Sequence, residues 1–401
     1  MSTISMRQEK ILVVDDEPDL QMLILQKFRK QIKQETYDFT FAENGQEALD
    51  ILSERSDISV VLSDINMPKM DGLTFLSEAQ KLTNPMFKTI IVSAYGDMDN
   101  IRTAMNRGAF DFVTKPIDFS DLESTIEKTI KDILLIREGV QSKKTLEAVQ
   151  ADLETAAGIQ QKILPQTFPP FPDRKEFDIY GEMHAARQVG GDFFDFFMLD
   201  DHKLGFVIGD VSGKGIPASI YMAVSRTMLK AIASQIDDPA GCLSTVNTML
   251  IPESDLTTFV TMFYGVLDTQ TGTIRYCNGG HNLPYIMRTN GEIEEVDNTG
   301  GLLLGKIEPI PYETKVIQLN PGDKIFTFTD GVTEATAIDD TMYEEEQLID
   351  FLKKHKDDTL EKLIRSLLVD LLKFMGIADQ SDDITMLALR YNGSEATSEE
   401  T

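Results

Sequence analysis

Tryptophan is absent from this 401-residue chain, cysteine occurs twice and histidine four times. Cys242 and Cys277 lie in no metal-type spacing, which excludes a disulfide framework and argues against a zinc site. Both are expected as core residues of a reduced protein. Basic residues are also scarce: 38 Lys and Arg stand against 66 Asp and Glu, a formal charge of −28. Such an excess repels polyanions, so neither nucleic acid nor an anionic membrane is an expected partner. Most of that charge reads as a solvated acidic surface. No apolar run approaches the roughly 20 residues of a membrane span. Met1 to Lys10 is polar and lacks the apolar stretch of a signal peptide. A cytoplasmic protein is expected.

What the chain does have is alternation. Short β-type runs at Ile11–Val14, Asp38–Ala42, Ser59–Ser63, Thr89–Val92 and Phe110–Val113 are separated by stretches of helical spacing. Those stretches are Asp19–Lys33, Gln46–Glu54, Leu73–Leu82 and Met98–Arg107. Repeated βα units of this length predict a doubly wound, parallel, five-stranded α/β sheet, flavodoxin-like, over residues 1–131. In such a sheet ligands bind at the carboxyl ends of strands, and Asp15, Asp16, Asp64, Ser93 and Lys115 all fall there.

From Asp118 to Leu164 the pattern becomes one long helical stretch without proline. Leu146, Val149, Leu153, Ala156, Gln160 and Ile163 follow coiled-coil spacing, so residues 132–172 read either as a dimer-forming linker or as a helix packed on its own domain. Pro165, Pro169, Pro170 and Pro172 end it. Residues 173–392 then mix nine β runs with two helical zones, Ala218–Leu250 and Glu344–Met375. This predicts an α+β layered domain, a β-sandwich flanked by helices. Residues 393–401 read as a disordered acidic tail.

Carboxylates recur at the ends of these runs: Asp15, Asp16 and Asp64 early, then Asp192, Asp210, Asp330 and Asp382–Asp383. Two carboxylates about 4 Å apart repel by roughly 4 kcal/mol at an effective dielectric near 20, a penalty that a divalent cation removes.

Ile11-Leu-Val-Val-Asp15-Asp16-Glu, Ser63-Asp64-Ile-Asn-Met-Pro68, Val92-Ser93-Ala and Thr114-Lys115-Pro116 together resemble the receiver domain of bacterial response regulators. The resemblance covers Glu9 to Lys131. It implies Asp64 as phosphoacceptor and Mg²⁺ held by Asp15, Asp16, Asp64 and the backbone carbonyl of Asn66. It further implies Lys115 as the cation facing the acyl phosphate, Ser93 and Phe112 as switch residues, a cis Lys115–Pro116 bond, and a histidine kinase as partner. A carboxylate that accepts a phosphoryl group needs such a cation to neutralise charge on the transferred oxygens.

Val189-Gly-Gly-Asp192-Phe-Phe-Asp195, Gly209-Asp210-Val-Ser-Gly-Lys-Gly215, Thr329-Asp330-Gly-Val-Thr-Glu-Ala335 and Ser381-Asp382-Asp383-Ile-Thr385 resemble a second family. It is the metal-dependent PPM-type serine/threonine protein phosphatases, in their SpoIIE-like branch. The resemblance implies two Mn²⁺ or Mg²⁺ ions held by Asp192, Asp210, the carbonyl of Val211, Asp330 and Asp382, with Asp383 as neighbour or alternate ligand. Water is the implied nucleophile. Ser212 stands where eukaryotic relatives carry a histidine, so the general acid is unassigned, and Leu303 replaces the commoner proline of a turn. Arg187, Asp195 and His281 read as surface or structural residues. The expected protein is a response regulator whose output dephosphorylates a partner, a STAS-type anti-sigma-factor antagonist, and which forms a homodimer through its linker. A non-catalytic scaffold with a degenerate phosphatase fold is the alternative. A DNA-binding output is disfavoured by the acidity and the lack of a basic helix-turn-helix segment.

Overall fold

A computed structural model describes residues 8–82, 86–254 and 257–393. The tail expected over 393–401 therefore lies, Gly393 apart, outside the described residues, as do the first seven residues of the polar N-terminus. The chain divides into two compact units, Met1–Ala148 and Val149–Thr401. No described helix is long and apolar enough to cross a membrane.

The first unit contains β1 (Glu9–Val14), α1 (Pro18–Lys27), α2 (Arg29–Lys33), β2 (Tyr37–Ala42), α3 (Gly45–Glu54), β3 (Ile58–Asp64), α4 (Gly72–Ala79), β4 (Lys88–Ala94), α5 (Met98–Asn106) and β5 (Asp111–Lys115). Its strands are parallel and ordered β2-β1-β3-β4-β5. Strands β1 and β3 are buried on both faces, which is why they read as continuous apolar runs without alternation. The expected single helix Asp19–Lys33 is two helices. The chain leaves helical geometry at Phe28 (φ −92°, ψ 16°), whose buried ring packs against Tyr37, Phe39 and Phe119.

Helix α6 (Phe119–Ile163) is unbroken over 45 residues. Leu122, Ile126 and Ile133 bury into the core of the first unit, and Lys88 and Asp111 pair with Asp132 and Lys128 of the helix. Further along, Leu146 and Val149 are 67% and 51% exposed. Within the second unit the end of α6 becomes buried again at Gln160, followed by Leu164.

The second unit contains β6 (Phe177–His184), β7 (Phe193–Met198), β8 (Lys203–Val211), α7 (Ile216–Ala233), α8 (Pro239–Leu250), β9 (Val260–Asp268), β10 (Thr273–Gly279), β11 (Tyr285–Met287), β12 (Ile293–Glu295), β13 (Lys315–Gln318), β14 (Lys324–Phe328), α9 (Asp330–Thr333), α10 (Glu344–Lys354), α11 (Leu360–Met375) and β15 (Ile384–Tyr391). Two antiparallel sheets result, β13-β10-β9-β8-β7 and β12-β11-β14-β15-β6. Phe194, Phe196, Phe206 and Phe263 of one meet Ile179, Ile325, Leu387 and Leu389 of the other. Helices α7 and α8 cover the outer face of the first sheet, and α10 and α11 that of the second. The order is helix, sheet, sheet, helix. Elements β12 and α9, of three and four residues, are too short to give a readable period and were not expected.

Two candidate metal-phosphate sites

In the first unit the sheet order reverses between β1 and β3, which opens a crevice beyond their carboxyl ends. Asp15 follows β1, Asp64 closes β3 and Lys115 closes β5. The Lys115 ammonium lies 2.8 Å from Asp64 Oδ2, 3.0 Å from Asp15 Oδ2 and 3.2 Å from Glu17 Oε1. Asp64 Oδ1 accepts the Ile65 N–H at 2.6 Å and the Asn66 N–H at 3.5 Å. Burial works against charge on Lys115, but the hydrogen bonds to Asp64 and Asp15 outweigh it and raise its pKa. Burial also raises Asp15. A Cβ on Gly72 would sit 2.0 Å from the Asp64 carbonyl oxygen, so only glycine lets α4 start against the end of β3.

Carboxylate oxygens of Asp15, Glu17 and Asp64 lie within 4.8 Å of one another. Asp16 and Glu17 are both exposed; Glu17 belongs to this cluster and Asp16, expected as a ligand, does not. Asp15 Oδ1 accepts the Glu17 N–H at 2.8 Å, and that turn carries the third carboxylate back toward the cleft. Ser93 is buried, with Oγ 3.5 Å from Asp97 Oδ2, while Phe112 is 36% exposed. Asn66 is exposed, and Lys115–Pro116 is cis.

In the second unit, β7 begins where β8 ends, and β15 begins where β14 ends. This antiparallel pairing sets Asp192 and Asp210 at the end of one sheet, and Asp330 and Asp382–Asp383 at the end of the other. Thr329 joins the two sets by donating to Asp192 Oδ2 at 2.7 Å. Burial, then the charges of Asp210 and Asp383, hold Asp192 well above the usual carboxylate range. Burial and Asp330 push Asp210 up to about 7. Burial, Glu334 and Asp382 push Asp330 up to about 6. Raised in this way, these carboxylates hold protons to higher pH than usual, a shift that a nearby divalent cation would oppose.

Asp382 and Asp383, the two alternatives as ligand, have different partners. Asp383 accepts the N–H groups of Ala186 at 2.8 Å, Gly191 at 2.6 Å and Asp192 at 3.4 Å, so it braces the turn that carries Asp192. Asp382 pairs with Lys214 Nζ at 2.9 Å and keeps an accessible carboxylate. A Cβ on Gly191 would meet the Val211 carbonyl oxygen at 2.7 Å, which brings that carbonyl beside the same turn. Thr329 and Lys214 were missed in the sequence, although one precedes Asp330 directly and the other sits between two glycines of positive φ. Both donor sets are carboxylate oxygens without histidine or cysteine, which fits Mg²⁺ or Mn²⁺ and not zinc.

Residues 11–127 match the family described as response regulator receiver domain, and residues 200–392 match the family of stage II sporulation protein E, SpoIIE. The chain is a response-regulator receiver joined to a SpoIIE-type protein phosphatase domain. The receiver is 36% identical over 124 residues to sporulation initiation phosphotransferase F of Bacillus subtilis, spanning 31% of this chain and 94% of that protein. Phosphoserine phosphatase RsbU of Bacillus subtilis is 25% identical over 272 residues, 68% of this chain and 79% of RsbU. Protein IcfG of Synechocystis is 27% identical over 268 residues, which span 60% of this chain but only 42% of IcfG. The SiaA-PP2C domain of Pseudomonas aeruginosa shares the fold, with a TM-score of 0.55, 20% identity, and coverage of 62% of this chain and 98% of that one. Asp192 precedes the SpoIIE match and owes its place in the site to Thr329 and Asp383.

The other singled-out residues of the SpoIIE-type domain have settled surroundings. Ser212 Oγ donates to the Thr257 carbonyl and accepts the Phe259 N–H, both at 2.9 Å. Asp195 is buried against Arg226 at 2.8 Å and Lys230 at 3.3 Å. Arg187 is exposed and Leu303 half-buried. His281 is buried, with Nδ1 2.9 Å from Thr261 Oγ1, and burial lowers its pKa from 6.5 to about 4. The unfolded chain therefore binds more protons at this residue between those two values, and stability present above pH 6.5 is lost as pH falls toward 4. Denaturant titrations should show wild type losing about 3 kcal/mol relative to His281→Gln across that window. Parallel pH curves for the two proteins would contradict it.

Proposed function

We propose that the chain is a phosphorylation-gated protein phosphatase. A histidine kinase donates a phosphoryl group to Asp64: the P–N bond of the phosphohistidine breaks, a P–O bond forms at the carboxylate, and Lys115 neutralises the product. Asp15, Glu17, Asp64 and the Asn66 carbonyl are the available oxygen donors for Mg²⁺ there, with Asp16 on the rim. Ser93 and Phe112 transmit the change. In the output domain Asp192, Asp210, Asp330, Asp382 and the Val211 carbonyl hold two Mn²⁺ or Mg²⁺ ions. Bound there, the ions supply acidity to a nucleophilic water and screen the phosphate charge. Around them Asp383 fixes the Asp192 turn, Thr329 orients the Asp192 carboxylate, and Lys214 balances Asp382. The Ser212 hydroxyl is engaged on both sides, by the Thr257 carbonyl and the Phe259 N–H, and is not assigned the role of general acid.

The observation that carries this reading is the convergence of Asp192, Asp210, Asp330 and Asp382 at the ends of two sheets, with Thr329 bonded to Asp192 across them, and the upward pKa shifts of the first three accord with it. Because any proton on these carboxylates must leave on metal binding, Mn²⁺ affinity should rise as pH rises, about tenfold per pH unit for each proton displaced. Calorimetric titration checks this, and a flat profile would count against these ligands. The substrate proposed is a phosphorylated STAS-type anti-sigma-factor antagonist, in keeping with the phosphoserine phosphatase named among the relatives. Exposed Leu146 and Val149 support pairing of α6 with a second copy. Sedimentation that found one unchanged state with and without beryllofluoride would remove phosphorylation-driven pairing.

The deciding experiment is Mn²⁺-dependent hydrolysis of p-nitrophenyl phosphate with and without beryllofluoride, which mimics phospho-Asp64. Metal-dependent turnover altered by beryllofluoride supports the proposal, and turnover indifferent to it leaves the enzyme without the gate. No turnover, on a phosphorylated STAS protein either, leaves the scaffold reading.

A further inference from the structure

The last turn of α6 inverts the usual burial pattern. Ile159 is 59% exposed, while its polar neighbour Gln160 is only 7% exposed. A buried amide must be fully hydrogen-bonded to be tolerated. Gln160 meets that demand at one residue: Nε2 donates to the Gly190 carbonyl at 2.7 Å, and Oε1 accepts the Gly190 N–H at 3.1 Å. The side chain thus pairs with Gly190 at both ends, as a neighbouring strand would.

Gly190 stands two residues before Asp192. It cannot carry a side chain, since a Cβ would lie 2.4 Å from both Asp383 Oδ2 and Met183 Cε. The next two amides, of Gly191 and Asp192, are held by Asp383. The Asp192 turn is therefore gripped from two sides. Asp383 comes from the β15 sheet of the domain, and Gln160 comes from α6. Leu164, four residues on, is buried in the cluster that contains Val211 and Phe193. A one-residue shift in helix register turns a side chain by about 100° and would carry the Gln160 amide away from Gly190. A carboxamide carries donor and acceptor on separate atoms without charge, which is what pairing with both the N–H and the carbonyl of one residue requires.

We infer that Gln160 is a positioning residue for the cation site: through Gly190 it sets the Asp192 turn, and it makes the competence of that turn depend on the last turn of α6. The inference rests on the proposed phosphatase site. It assigns this residue, within the stripe expected to face a second helix, to the metal loop instead.

The test is Mn²⁺ binding by the full chain, followed by electron paramagnetic resonance, for wild type, Gln160→Met and Gln160→Glu. Gln160→Met should weaken Mn²⁺ binding about tenfold to a hundredfold, as removal of a ligand's supporting hydrogen bonds does. Its kcat should fall while the KM for p-nitrophenyl phosphate stays within about twofold, since the turn and not the substrate contact is disturbed. Gln160→Glu retains the acceptor for the Gly190 N–H and should show an intermediate loss. A purely structural role would lower the melting temperature of metal-free protein without moving Mn²⁺ affinity. Folded variants that bind Mn²⁺ as wild type does would overturn the inference and leave the phosphatase intact. Failure of the unmutated protein to bind Mn²⁺ would remove both readings, and is told apart by that control. Should both variants fail to fold, hydrogen exchange of wild type decides: a slow Gly190 amide supports the clasp, and exchange of that amide at open-loop rates overturns it.

Discussion

Asp330→Asn is expected to lower Mn²⁺-dependent phosphatase turnover about a thousandfold or more, with little loss of folded structure. Asp330 lies two residues past the end of β14 and opens the four-residue helix α9. Its carboxylate is pushed up to about 6 by burial and by Glu334 and Asp382, so the fold holds a charge there under strain. An amide of the same shape relieves that repulsion, and metal-free Asp330→Asn should melt no lower than wild type. What it removes is a hard anionic ligand. Lewis-acid stabilisation by a bound ion is worth several kcal/mol, and each 1.4 kcal/mol is tenfold in rate. The measurement is single-turnover hydrolysis of a phosphorylated protein at saturating Mn²⁺, beside calorimetry of Mn²⁺ binding and a thermal melt in chelator. A variant that keeps a tenth of wild-type turnover would show that Asp330 is not a ligand. Turnover lost together with folding would instead make its role structural.

Asp64→Asn should abolish phosphoryl acceptance and, with it, any response of the output domain to beryllofluoride. Asp64 offers one oxygen to Lys115 at 2.8 Å and the other to the backbone of Ile65 and Asn66. Asparagine can keep one of those contacts, but it has no nucleophilic oxygen for phosphorus. Removing a nucleophile from a site that acts as a unit costs about 10³-fold or more. Labelling with acetyl phosphate, read on phosphate-affinity gels, should fall below detection, and the ratio of activities with and without beryllofluoride should become one. Undiminished labelling would move the acceptor elsewhere in the receiver. A persisting beryllofluoride response would place the mimic outside the receiver, on the phosphatase ions themselves.

The parallel five-stranded sheet and the layered second unit were legible in the chain, as was the delivery of carboxylates to strand ends. The reason is geometric: a strand that ends in a cleft writes an apolar run followed by a carboxylate, as in Ile11–Asp15 and Phe326–Asp330, and glycines mark where backbone must pass close. Motif order along the chain then gave both families. Short elements were not legible, because three or four residues carry no period, as at β12 and α9.

Sequence alone determined which residue types are present and where strands deliver them: Asp64 at the end of β3, Lys115 at the end of β5, Asp192 and Asp210 beside one β-pairing. Tertiary structure decided which oxygens are free. Asp382 and Asp383 are adjacent and chemically identical, yet Asp383 spends its oxygens on the amides of Ala186, Gly191 and Asp192 while Asp382 faces Lys214. Asp16 and Glu17 are both exposed, yet the turn after β1 brings Glu17 within 3.2 Å of Lys115. Gln160 looked like one more position in a helical stripe until Gly190, thirty residues away, came to lie against it. Hydrogen-bond capacity is local, but its use depends on partners that only the folded chain brings within 3 Å.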